Sequence, residues 1–183
     1  RVLQNTRTIR DFIEFRDSHF AATSGGLVEF SAEGKLLRHF TVLDGLPESD
    51  LTSLAVFDGK LFIGTQTKNL LSFDGERFER YVWTDRTARA VTSLLETDGK
   101  LLVGTMAGGL LEFDGDFFTE IKADKTRLSA VNHLSRDGAR TFVGTFDNGL
   151  WIHENAVWSH FTNVVGGLPS NRVVGVAAKG EKI

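Results

Sequence analysis

The sequence has no cysteine, which excludes disulfides, thiolate metal sites and a cysteine nucleophile. Proline occurs twice and methionine once, and there is one tyrosine against 15 phenylalanines. No apolar run approaches the roughly 18 residues of a membrane-spanning helix, so any membrane link is expected only through segments outside this chain. Nor is there a block of like charge. The 21 basic and 24 acidic residues are interspersed, for a net charge of −3. That argues against a nucleic-acid partner, which would ask for a basic patch.

What the chain does have is glycine, 19 of them, placed at regular intervals. Gly-Thr stands at Gly64-Thr65, Gly104-Thr105 and Gly144-Thr145, with Ala22-Thr23 as a variant, and the threonines are 42, 40 and 40 residues apart. A leucine follows each (Leu27, Leu70, Leu110, Leu150), then Phe30, Phe73, Phe113 and His153. Ile9, Leu51, Val91, Val131 and Val173 align at the start of each unit. Several columns on one period mark an internal repeat.

Within a unit the pattern is one of short strands. In the third, Val91–Leu95, Leu101–Thr105, Leu110–Phe113 and Phe117–Ile121 are separated by Asp98-Gly99, Ala107-Gly108-Gly109 and Asp114-Gly115, turns of the kind that join hairpins. Asp58-Gly59, Asp74-Gly75 and Asp137-Gly138 repeat that chemistry. Four antiparallel strands in about 40 residues is one propeller blade. The fold class is therefore all-β, a β-propeller. Units run over 9–50, 51–90, 91–130 and 131–172, with 173–183 opening a fifth and residues 1–6 ending a preceding one. This arrangement leads us to expect a segment of a larger propeller of roughly six to eight blades, or a homo-oligomer in which a second copy completes the ring. Glycine inside a strand costs roughly 0.5–1 kcal/mol against alanine, so the Gly before Thr is expected to admit a neighbouring blade's aromatic. The column Phe20, Phe62, Leu102, Phe142 is expected to fill the space between blades.

Gly167-Leu168-Pro169-Ser170-Asn171-Arg172-Val173 and Asp44-Gly45-Leu46-Pro47-Glu48-Ser49-Asp50-Leu51 resemble the opening of the two-component regulator propeller repeat. Phe142-Val143-Gly144-Thr145 followed by Asn148-Gly149-Leu150-Trp151 is similar to its later part. Units two and three lack Gly-Leu-Pro at their ends, and Asn69 replaces the Gly of Gly-Leu. The resemblance implies the sensory, periplasmic or extracytoplasmic portion of a bacterial two-component signalling protein, with no catalytic residues in the repeats and no cofactor. A cytoplasmic interaction scaffold is the alternative, and a propeller enzyme akin to a streptogramin lyase comes third.

Threonine recurs in every Gly-Thr, whereas a nucleophile is needed once, so these hydroxyls read as structural. No histidine pair has zinc-motif spacing, and no metal site is expected. His133 stands alone in a first strand, with Ser53, Ser93 and Gly175 as equivalents, and reads as a solvated channel residue. Specificity should lie in side chains that break the repeat, on loops at one face. The candidates for a small ligand (anionic or carbohydrate) or a partner protein are Lys68, Trp83, Arg86, Arg89, Met106, Arg127, Phe146 and Asp147.

Overall fold

The computed structural model describes residues 8–83, 90–128, 130–178 and 180. Four antiparallel meanders follow one another. The first is β1 (Ile9–Phe15), β2 (Ser18–Thr23), β3 (Gly26–Ser31) and β4 (Leu36–Phe40). The second is β5 (Leu51–Phe57), β6 (Lys60–Thr65), β7 (Leu70–Phe73) and β8 (Phe78–Tyr81). The third is β9 (Val91–Thr97), β10 (Lys100–Thr105), β11 (Leu110–Phe113), β12 (Phe118–Ala123) and β13 (Thr126–Arg127), and the fourth β14 (Val131–Asp137), β15 (Arg140–Thr145), β16 (Leu150–Glu154) and β17 (Val157–Phe161). The first strands are neighbours in space: β1 packs on β5, β5 on β9 and β9 on β14. The sheets are thus blades stacked face to face, their first strands lining a common channel. The short fifth strand of blade 3 was not expected. Asp124 and Lys125 both take positive φ, 46° and 71°, and turn the chain back to pair Lys122 with Arg127.

Alternation along each strand sends one set of side chains to the next blade and the other to the previous one. Phe20, Ala22 and Leu27 meet Leu61, Ile63, Leu71 and Phe73. Phe62 and Leu70 meet Leu101, Val103, Leu111 and Phe113. Leu102 and Leu110 meet Val143 and Trp151. Phe142, Leu150 and Ile152 are covered by Leu168, Val173, Val176 and Ala178. The expected filling column is therefore buried between blades. Residues 172–178 belong to no sheet ladder, yet they occupy the place a first strand takes in the other seams.

The close approach at Gly-Thr differs in its partner. A β-carbon on Gly64, Gly104 or Gly144 would stand 2.7, 2.6 or 2.8 Å from a γ-methyl of Val91, Val131 or Val173. The neighbour across the seam is the valine that opens the following unit, not an aromatic, and at Gly64 the Ser53 and Thr52 hydroxyls of its own blade crowd the same space. In blade 1 the position is Ala22, and the residue opening the next blade is Leu51, unbranched at its β-carbon.

Every Gly-Thr hydroxyl is structural. Thr65, Thr105 and Thr145 Oγ1 donate to the carbonyls of Asn69, Gly109 and Gly149 at 2.8–2.9 Å, and Thr23 donates to Gly26 at 2.7 Å. These four threonines are buried. Thr105→Val should therefore cost about 1 kcal/mol by removing one of the two hydrogen bonds that the Gly109 carbonyl accepts, the other coming from Thr105 N–H, read as a lower urea midpoint at unchanged m-value. The acceptors lie in left-handed or related backbone, which is why Asn69, at φ 70°, can stand for glycine.

Asp-Gly closes two kinds of turn. At Asp58-Gly59 and Asp98-Gly99 both residues have positive φ. At Asp74 and Asp114 the carboxylate instead accepts backbone N–H groups, Arg77 and Glu76 for the first, Phe117 and Asp116 for the second, and these bonds hold both carboxyls below their ordinary range. Asp137 still pairs with Arg140, so blade 4 turns at Gly138-Ala139, one residue later than the dipeptide suggests.

Candidate ligand site at the channel mouth

Each first strand carries a β-bulge at the same place. Pairing with the second strand jumps from Ile9 to Asp11, Leu51 to Ser53, Val91 to Ser93 and Val131 to His133. The skipped residues are Arg10, Thr52, Thr92 and Asn132. A bulge re-aims the side chains around it, and here both the skipped residue and its successor reach the next blade. Arg10, Thr92 and Asn132 donate to the carbonyls of Leu51, Val131 and Val173 at 2.8, 2.6 and 2.9 Å. Asp11, Ser93 and His133 accept the N–H groups of Leu54, Leu134 and Val176 at 2.7, 3.0 and 3.3 Å. The innermost strand of a blade has an unpaired edge facing the channel. Side chains of the preceding blade satisfy it. At the seam between blades 2 and 3 the equivalent hydroxyls, Thr52 Oγ1 and Ser53 Oγ, are buried and have no partner among the described residues.

The bulged residues also form the wall of a cleft of about 320 Å³, lined by Arg10, Thr52, Gln66, Thr92, Met106 and Asn132. All four blades contribute. Its polar groups are amides and hydroxyls. Its one guanidinium, on Arg10, is paired with Asp50. With Ala90, Val91 and the Met106 thioether also in its wall, the cleft offers neutral hydrogen bonding beside apolar surface.

Next to these residues in the chain, Asp11 and His133 interact electrostatically although they stand on the first and fourth blades. Burial pushes the Asp11 carboxyl up, opposed by the N–H groups of Leu54 and Phe12 and by His133. Burial pushes the His133 imidazole down, opposed by Asp11. His133 was singled out from the sequence; Asp11 was not, although it occupies the same column.

The other candidates scatter. Lys68, Met106, Phe146 and Asp147 lie on loops between second and third strands and are at least partly exposed. These loops share a face with the connectors between blades, as expected: Gln66, Met106 and Phe146 N–H donate to Asp50, Ala90 and Ala130 carbonyls, and Glu48 accepts from the Thr67 and Lys68 amides. Of the six candidates among the described residues only Met106 lines the cleft, and Gln66, on the loop that carries Lys68, joins it. Phe146 is covered by the Arg172 guanidinium at 4.7 Å. Arg127, on β13, pairs with Glu120 at 2.8 Å. Arg86 and Arg89 lie outside the described residues.

Trp83 is a correction. It is 6% exposed rather than a rim residue, and meets Phe118 edge-on at 5.4 Å. The reason lies in the seams. Each connector drops one apolar side chain between blades: Leu46, Trp83, Leu128 and Leu168. In the first connector a single 3-10 turn, Val42–Asp44, capped by Thr41 and ended by Gly45 at φ 87°, precedes Leu46. Trp83 does for the second seam what the Leu of Gly-Leu-Pro does for the first and fourth, and Leu128 for the third. His39 and His160 are also engaged, each with Nε2 on a loop carbonyl, Gly25 and Asn148.

No protein-family model and no curated protein matches the sequence. Solved structures do. The extracellular domain of a B. thetaiotaomicron protein described as a hybrid two-component system superposes with a TM-score of 0.79 at 15% identity, over 94% of this chain and 25% of that one. A second such domain from the same organism gives 0.75 at 22% identity, over 95% and 25%. Virginiamycin B lyase from Staphylococcus aureus gives 0.68 at 12%, over 90% and 60%. The chain thus spans about a quarter of the length of the two-component proteins it matches. Among the described residues no helix is long and apolar enough to cross a membrane. The chain is a run of β-propeller blades with the fold seen in the extracellular domains of hybrid two-component systems.

Proposed function

We propose that the chain is a non-enzymatic, ligand-binding part of a bacterial two-component sensor, working outside the cytoplasm and taking a small polar molecule at the channel mouth. The observation that carries this is the convergence of repeat-breaking side chains from all four blades, Arg10, Gln66, Met106 and Asn132 among them, on one cleft. The fold likeness to extracellular sensor domains supports it. Because Asp50 already neutralises Arg10, an uncharged hydrogen-bonding ligand suits the cleft better than an anion.

The side chains of Gln66 and Met106 line the cleft from loops, and the bonds of these residues to the connectors are made by backbone N–H groups, which alanine keeps. Gln66→Ala and Met106→Ala should each weaken a ligand found by thermal-shift screening about tenfold, the equivalent of roughly 1.4 kcal/mol, while leaving the ligand-free Tm within about 2 °C. Calorimetric titration reads the first and a melting scan the second. Unchanged affinity in both variants would move the site elsewhere. A protein-interaction scaffold is a second reading, favoured by apolar side chains left in solvent on the connectors, Leu43 at 74% and Val164 at 87% exposure.

A further inference from the structure

The acceptor column at the channel is Asp11, Ser93 and His133, each holding an N–H of the next first strand. Only one of the three loses its acceptor near neutral pH. A serine hydroxyl does not titrate there, and the Asp11 carboxyl, although burial pushes it up, keeps an oxygen lone pair that accepts whether or not it is protonated. An imidazole Nδ1 accepts through its lone pair only while unprotonated, and once protonated it presents N–H to N–H. We infer that His133 is a proton-operated latch on the segment Val173–Ala178: the neutral ring holds the Val176 amide, and protonation releases it.

The segment is held to the channel side of blade 4 by few bonds. Val173 N donates to the Thr145 carbonyl at 2.8 Å, Val173 O accepts from Asn132, and Val176 N donates to His133. Val173, Val176 and Ala178 also pack on Phe142, Leu150 and Ile152, so the loss of the His133 bond is expected to loosen the Val176 amide rather than the whole segment. Among the described residues the charged group acting on the ring is Asp11 from β1, and Gly144 stands opposite on β15; the segment itself, Val-Val-Gly-Val-Ala-Ala, has no titratable side chain. Asp11 favours the imidazolium, whereas burial opposes it more strongly and lowers the ring's pKa. The docked state therefore binds fewer protons than the released one. Docking is complete above the ordinary histidine range, and is lost as pH falls through that range toward the lowered value.

The test is amide hydrogen exchange at Val176 between pH 7.5 and 5, corrected for the intrinsic rate. Protection in the native chain should fall by about tenfold as pH drops, the loss of one hydrogen bond, while Leu134, held by Ser93, stays level. His133→Asn puts a carbonyl oxygen near the place of Nδ1; Val176 should then be protected equally at both ends. Val176 protection independent of pH in the native chain would overturn the latch. So would a pH-dependent fall that persists in His133→Asn.

Discussion

Gly104→Val should lower stability by about 3 kcal/mol through overpacking, a drop of roughly 6–12 °C in Tm for a chain of this size. Gly104 has no positive φ, so the cost is one of space rather than backbone strain. Its new β-carbon would lie 2.6 Å from Val131 Cγ1, and Val131 is fully buried with nowhere to retreat. Even Gly104→Ala meets that contact. Blade 1 suggests the remedy, since it combines alanine at this position with Leu51 at the start of the next blade. Gly104→Ala with Val131→Leu should thus recover part of the loss, and a double-mutant cycle measures the coupling. Lys68→Ala, at an exposed loop position, should stay within about 0.5 kcal/mol of the native chain. Equal losses for Gly104→Val and Lys68→Ala would mean that the blades do not meet where described.

Phe113→Ala should cost more still, about 3–5 kcal/mol. The ring is fully buried at the seam between blades 2 and 3. It stacks on Phe118 at 4.5 Å and meets Tyr81, Phe62 and Phe57 at 5.2, 5.8 and 6.3 Å. This is also the seam where Thr52 and Ser53 lack the hydrogen bonds made at the others. Apolar packing holds it with little help from the channel edge. Urea titration should show the full loss, and hydrogen exchange in Phe113→Ala should rise first along β5 and β9. A loss below about 1.5 kcal/mol would show that the ring cluster is not what joins these blades.

The blade order, the Gly-Thr turn and the filling column were legible because each is a periodic signal written several times over. What was misread was written once or left no mark. The bulge has no residue signature: alternation merely slips by one position, and Arg10 and Asn132 acquire their place in the channel from that slip. Asp11 was missed because its column reads Asp, Ser, Ser, His, three residue types with no shared chemistry except an acceptor atom. The partner of Gly104 was taken for an aromatic because aromatics are abundant, whereas the packing selects a valine that opens each following strand. Trp83 was taken for a rim residue because it follows the last strand of its blade. Nothing local distinguishes a tryptophan that faces solvent from one folded back into a seam.

The seam asks each connector for a single apolar side chain. Leu46, Trp83, Leu128 and Leu168 meet that demand from segments of unequal length and unlike composition. Among the described connector residues, side chains that neither fill a seam nor bond to a loop, such as Leu43 and Val164, carry no such duty. Substitutions at such positions spare the stack of blades, so the face around the channel can be rewritten for a new ligand while the scaffold stays as it is.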